Sequence, residues 1–179
     1  GYIRYFPDLG TLLDNNYETY DAGYFTTLVM EKLPFASREM NMRMIVRTND
    51  PYSGSVNHKN VQFFVAGSAG PFRVTSQQSS SVWSIGDQKT VTWDVADTDN
   101  PDSVNCQHVD IVLSLDGGEN FDVTIFENVP NTGSYSFNVP PLPSSISARL
   151  MVRSVTNIFF DIKNGNIEIQ NSNVTNGVC

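Results

Sequence analysis

Residues 114–121, Ser-Leu-Asp-Gly-Gly-Glu-Asn-Phe, join two stretches of strand-like pattern at 108–115 and 121–128. Asp116-Gly117-Gly118 offers positive φ without a Cβ clash, which the tight turn of a β-hairpin requires. A chain carrying this turn between two period-two stretches is committed to antiparallel sheet there.

The same signal recurs along the sequence. Thr90-Val91-Thr92-Trp93-Asp94-Val95, Val109-Asp110-Ile111-Val112-Leu113 and Tyr135-Ser136-Phe137-Asn138-Val139 read as strands. Ala148-Arg149-Leu150-Met151-Val152-Arg153 and Asn166-Ile167-Glu168-Ile169 continue the series. Turn clusters at 97–102, 116–119, 130–133 and 140–145 separate them. Seven or eight short strands over residues 71–170 predict an immunoglobulin-like β-sandwich with Trp93 in its core. Helix is nearly absent; one turn is expected at 7–15, with Leu9, Leu12 and Leu13 on one side.

Ala66-Gly67-Ser68-Ala69-Gly70-Pro71 is small, flexible and closed by proline, so a domain joint is placed there. This divides the chain into 1–70 and 71–179. In the first part, strands are expected at 24–32, 40–47 and 61–65. Three strands cannot bury a sheet face alone. The first part therefore either lends edge strands or is the C-terminal portion of a larger, truncated sandwich. Met40, Met42 and Met44 share one side of a strand and read as core lining. The fold class is thus all-β, with two immunoglobulin- or fibronectin-type-III-like sandwiches.

Of the chain's 179 residues, 40% are hydrophobic, enough for such cores. Eleven basic against nineteen acidic residues give a net charge of −8. Nucleic acid is then an unsuitable partner, since phosphate binding needs clustered Lys and Arg. No segment approaches the ~18 apolar residues of a membrane span, and no signal-peptide pattern follows Gly1. Cys106 and Cys179 either pair or leave Cys106 as a buried single thiol. Scarce Lys and abundant Asn, Ser and Thr suit an exported protein.

Catalytic patterns are weak. His58, in a Gly/Ser/Asn loop over 51–60, and His108, at a strand start, match neither a His-Glu-x-x-His helix nor a nucleophile elbow. Zinc chemistry or a Ser-His-Asp triad has no sequence support. Paired glycosidase carboxylates are not recognisable without geometry. The best site candidate is Asp94-Val95-Ala96-Asp97-Thr98-Asp99-Asn100-Pro101-Asp102. Crowded carboxylates repel one another, and a calcium ion held by Asp97, Asp99 and Asp102 would relieve that. A solvated loop whose Asp and Asn make turns accounts for the same residues. Arg47-Thr48-Asn49-Asp50 is a second loop candidate, against a plain hairpin connection. Tyr2, Tyr5, Tyr17, Tyr20 and Tyr24 are candidate sugar platforms, against simple packing.

Two resemblances follow from these residues. The 114–121 segment resembles the Asp-box hairpin, in which Ser and Asp brace the turn and an aromatic closes it. Asn120 stands here where Thr is usual, and Phe121 where Trp is usual. The motif implies structure rather than catalysis. It predicts that Ser114 and Asp116 hydrogen-bond within the turn and that Phe121 packs inward.

Leu33-Pro34, Ser37-Arg38-Glu39-Met40-Asn41-Met42-Arg43, Val46-Arg47-Thr48-Asn49-Asp50 and Gly70-Pro71-Phe72-Arg73-Val74-Thr75-Ser76 form a wider set. With Gln88-Lys89-Thr90-Val91-Thr92-Trp93-Asp94-Val95, then Val104-Asn105-Cys106, the run 109–118 and Asn157-Ile158-Phe159-Phe160-Asp161-Ile162, they occur in one order. Together they resemble the tandem β-sandwich region that follows the catalytic domain in secreted bacterial reprolysin-like zinc metallopeptidases, of the Bacteroidetes type. The resemblance covers about residues 30–170. It implies a non-catalytic accessory region, secreted or at the cell surface, that spaces, stabilises or binds substrate or surface. An upstream catalytic domain is the implied partner. A free-standing adhesin or carbohydrate-binding module with a protein or glycan ligand is the alternative reading, and an independent hydrolase the third.

Overall fold

The computed structural model describes residues 3–22, 27–48 and 53–171. Tyr2, Tyr24, Asn49, Asp50 and Cys179 lie outside them. The chain forms two compact units, one of Gly1–Leu33 with Ala69–Cys179 and the other of Pro34–Ser68. The second unit ends at Ser68, inside the 66–71 tract. Residues 1–33, however, belong with the C-terminal sandwich and not with 34–68.

The first unit opens with α1 (Leu9–Leu13), capped by Asp8, whose carboxylate accepts from Gly10 N (2.9 Å). A short antiparallel pair follows, β1 (Glu18–Ala22) with β2 (Thr27–Lys32). After the second unit come β5 (Arg73–Val74), β6 (Ser81–Ser84), β7 (Gln88–Asp94), β8 (His108–Ser114) and β9 (Val123–Pro130). Then follow β10 (Ser134–Asn138), β11 (Ser145–Ser154), β12 (Phe160–Ile162) and β13 (Ile167–Gln170). The second unit is a single hairpin of β3 (Arg38–Arg47) and β4 (Val56–Val65).

Strands β10-β7-β5 form one sheet, and β6-β13-β11-β8-β9, with β12 beside β11, form the other. Their inner faces enclose a core of Trp83, Val91, Trp93, Ile111, Leu113 and Leu150, with Phe137, Ile167 and Ile169. Trp93 is a core residue, as its mid-strand position predicts. The β-sandwich expected over 71–170 is present, with nine strands.

The larger sheet is buried on both faces where β8 pairs with the C-terminal half of β11. Along β8, Val109, Ile111 and Leu113 point to the core, while Asp110, Val112 and Ser114 line the outer face. Their partners on β11 are Arg153, Met151 and Arg149. The row therefore runs from an ion pair (Asp110–Arg153, 3.3 Å) through an apolar centre to Arg149. Leu12, Phe121 and Ile162 close over Val112 and Met151, with Tyr5, Leu9, Leu13, Tyr17 and Phe160 packed around them. The predicted N-terminal helical turn exists, and its leucines cover this outer face.

Edge strand β9 pairs irregularly with β8, shifting register twice, and Asn128 takes a left-handed φ of 53°. Such bulges spoil an edge as a template for another strand.

The hairpin unit differs. Its register places Met40, Met42, Met44 and Val46 with Val61, Phe63 and Val65 on one face. Glu39, Asn41 and Arg43 share the other with Gln62 and Asn60, joined by Gln62–Glu39 (2.6 Å) and Arg43–Asn60 (2.8 Å) hydrogen bonds. The methionines do share one side, but Met44 is 59% exposed and none is buried, so they do not line a core. His58, expected in a loop, lies within β4 opposite Ile45, because the strand begins at Val56.

Candidate functional site

The hairpin turn between β8 and β9 is fully braced. Ser114 Oγ donates to Asp116 Oδ1 (2.5 Å) and accepts from Gly118 N (2.8 Å). Asn120 donates through its backbone N to Asp116 Oδ1 (3.0 Å) and through Nδ2 to Oδ2 (2.7 Å), so the amide fills the position where Thr is usual. These donors, the Ser114 hydroxyl first, hold the Asp116 carboxyl down at about 2. Phe121 is buried, as expected, but in the outer-face cluster with Leu12 rather than in the sandwich core. Gly118, at φ +104°, sits where a Cβ would lie 2.3 Å from Leu13 Cδ2. The turn is thus also a seat for the N-terminal helix.

In the acidic loop, Asp94 Oδ1 accepts from Ala96 N (3.0 Å) and Asn100 Oδ1 from Asp102 N (2.9 Å). Ala96 and Asp97 are both left-handed, at φ 47° and 58°. Thr98, 4% exposed, anchors the loop. Asn131 Nδ2 donates to Thr98 Oγ1 (3.1 Å) and Cys106 O (2.9 Å), and Asn131 Oδ1 accepts from Trp93 Nε1 (2.8 Å). The loop is pinned to the core through this buried amide. Among the described residues, no group of three or more His, Cys, Asp or Glu side chains is placed to hold a metal ion, and Asp97, Asp99 and Asp102 form none. Cys106 is a buried free thiol, its Sγ 3.2 Å from His108 O. His108 opens β8, as expected, and the structure assembles neither histidine into a metal group.

Of the N-terminal tyrosines, Tyr5 meets the Phe160 ring edge-on (5.4 Å between centroids). It packs rather than forming a platform. Tyr17 is different. The Arg73 guanidinium lies over its ring, Cζ 3.2 Å from the centroid. Its hydroxyl donates to Asn15 Oδ1 (2.9 Å), with Asp161 Oδ1 a longer acceptor at 3.3 Å. Asp161, 3% exposed, also accepts from Val74 N (2.7 Å) through Oδ2. Burial raises its carboxyl above the usual range, against the pull of the Val74 N–H, Lys163 and Arg73.

These contacts frame an open cleft of about 360 Å³ lined by Asn15, Asn16, Tyr17, Glu18 and Arg73. Strand β5 sends Val74 into the core and Arg73 outward, and the turn after α1 brings the two asparagines opposite, Asn15 at φ 59°. Sequence reasoning reached only Tyr17 of this set. The available signal was period two in Arg73-Val74, which places the arginine outside.

No protein-family model matches the chain, and no curated protein does. Among solved structures, the chain is similar to a chimeric titin Z1Z2 functionalized with a KLER exogenous peptide from decorin. The identity is 11% and the TM-score 0.33, over 86% of this chain and 73% of that one, a likeness too distant to bear on fold or function. The sandwich description rests on the sheets themselves. No helix among the described residues is long and apolar enough to cross a membrane.

Proposed function

We propose that this chain is a non-catalytic β-sandwich module of an exported bacterial protein, accessory to a catalytic domain of the metallopeptidase type. It spaces and stabilises, and it offers a face for substrate or surface binding. The observation that carries this reading is the covered outer face of the larger sheet. Leu12, Tyr5 and Tyr17 are built into the sandwich unit, so the tract at residues 5–17 is held by packing and not by a free hinge.

The polar groups that resemble chemistry support the same reading. Ser114, Asp116 and Asn120 spend themselves on a turn, and Asn131, Thr98 and Trp93 on a loop anchor. A free-standing carbohydrate-binding module is the second reading, favoured by the Arg73–Tyr17 cleft. The test is turnover. The purified chain, incubated with a fluorogenic peptide library and with nitrophenyl glycosides, should release no product above a heat-denatured control. Turnover that tracks with the folded chain would sink the module reading. Finding a His-Glu-x-x-His helix upstream in the parent open reading frame would support the peptidase association, and a different upstream domain would remove it.

A further inference from the structure

The Arg73 guanidinium lies over the Tyr17 ring, and no hydrogen bond seen among the described residues uses its N–H donors. We infer that the cleft at Asn15, Asn16, Tyr17, Glu18 and Arg73 recognises one or two units of a neutral saccharide. The inference rests on the carbohydrate-binding reading and names its site and ligand class; the non-catalytic reading is decided separately, by turnover, and sugar binding that persists in both variants below would keep a binding module while removing this cleft.

Three features point to this ligand class. The first is charge. Arg73 and Lys163 both act on Asp161 behind Tyr17, and Glu18 is paired with Lys32. The cleft wall itself carries both signs, Arg73 and Glu18, so a free anion meets Glu18 and a free cation meets Arg73. The second is hydrogen-bonding type. A sugar hydroxyl donates and accepts at once, which suits a wall with a guanidinium, a carboxylate and two amides. Asn15 spends its oxygen on Tyr17 and keeps its NH₂, and Asn16 is exposed with both functions open.

The third is preorganisation. Stacking on Tyr17, itself tied to Asn15 and Asp161, fixes the fork of Arg73 before any ligand arrives, which reduces the ordering cost of binding. The size fits as well, since about 360 Å³ lies near the lower end of the ~300–1,000 Å³ typical of ligand sites.

The experiment is an NMR titration of the isotope-labelled full chain with cellohexaose, chitohexaose, mannohexaose and xylohexaose. Citrate and spermidine serve as anionic and cationic controls. At least one hexaose should shift the Arg73 Nε–H and the Asn15 and Asn16 side-chain signals saturably. Arg73→Lys keeps the charge but loses the fork, and it should weaken that binding by about tenfold or more. Asn16→Ala, at an exposed position that leaves the fold intact, should weaken it too. No shift with any of the four sugars overturns the proposal. So does binding unchanged in both variants, or a site that responds to citrate or spermidine and not to sugar.

Discussion

Strands β3 and β11 are both ten residues long and carry the same number of apolar side chains: Met40, Met42, Met44, Ile45 and Val46 against Ile146, Ala148, Leu150, Met151 and Val152. In β11, Ala148, Leu150, Met151 and Val152 are buried, while in β3 nothing is. Propensity and apolar content therefore do not distinguish them. Partners do. Strand β11 has β8 on one edge, β12 and β13 on the other, a facing sheet on its inner side and α1 on its outer side. Among the described residues β3 pairs with no strand but β4, and a lone two-stranded hairpin is marginal in water.

The largest expected effect breaks or confirms that contrast directly. Leu150→Ala, at a fully buried site, should cost about 2–5 kcal/mol in urea unfolding. Met44→Ala, more than half exposed, should stay within about 0.5 kcal/mol. Comparable losses at the two positions would show that the hairpin face is covered in solution. Hydrogen exchange sharpens the same point. Amides of β8 and β11 should exchange only on global unfolding, and those of β3 and β4 through far cheaper local opening.

A second comparison lies between two glycines with similar backbones. Gly118 (φ +104°) and Gly86 (φ +87°) both occupy the left-handed side of φ. At Gly86 an added Cβ meets nothing within 4 Å, whereas at Gly118 it meets Leu13. Gly86→Ala should cost about 1 kcal/mol, the backbone term alone. Gly118→Ala should cost more, because the N-terminal helix must also shift, and it should loosen Leu12 from Met151. Equal losses in thermal melts would mean that the helix does not seat on this turn.

These contrasts explain which parts of the fold were legible. The strands around Trp93, Leu113 and Leu150 were, because alternation states a strand and its buried face together. The Asp116 brace was legible because its spacing is local. The role of α1 was not. Leu9, Leu12 and Leu13 predict a helical turn but do not name its partner. The clue was in the strands: Ile111-Val112-Leu113 and Leu150-Met151-Val152 are unbroken apolar runs, as a sheet buried on both faces requires. The Arg73 cleft was illegible for another reason. Residues 15–18 and 73 are far apart in sequence, and neither segment carries a recognisable motif.

Protonation offers a smaller contrast, between two aspartates of opposite sign. Asp116 has its folded pKa depressed to about 2, below the unfolded 3.8. Its contribution is present above about pH 4 and is lost as pH falls through about 2. The group is exposed, so screening keeps the effect small. Asp161 has its folded pKa raised by burial. Its contribution is full below the unfolded value and is lost as pH rises through the folded one. Removing each charge in turn separates them. The stability gap between wild type and Asp116→Asn should close on acidification below pH 4. Relative to Asp161→Asn, the wild type should gain stability on acidification toward pH 4.

The smallest effect concerns the acidic loop. Its backbone is already fixed by the Asp94 and Asn100 turns and by the buried Thr98–Asn131–Trp93 chain, so it needs no ion to hold its shape. A calcium ion bound by Asp97, Asp99 and Asp102 of the folded state alone must still raise the melting temperature by mass action, by an amount set by the ratio of free calcium to its dissociation constant. Melting curves in millimolar calcium and in chelator decide the matter. A rise that disappears in Asp99→Asn would place the ion in this loop, and coincident curves would leave the three carboxylates as solvated turn residues.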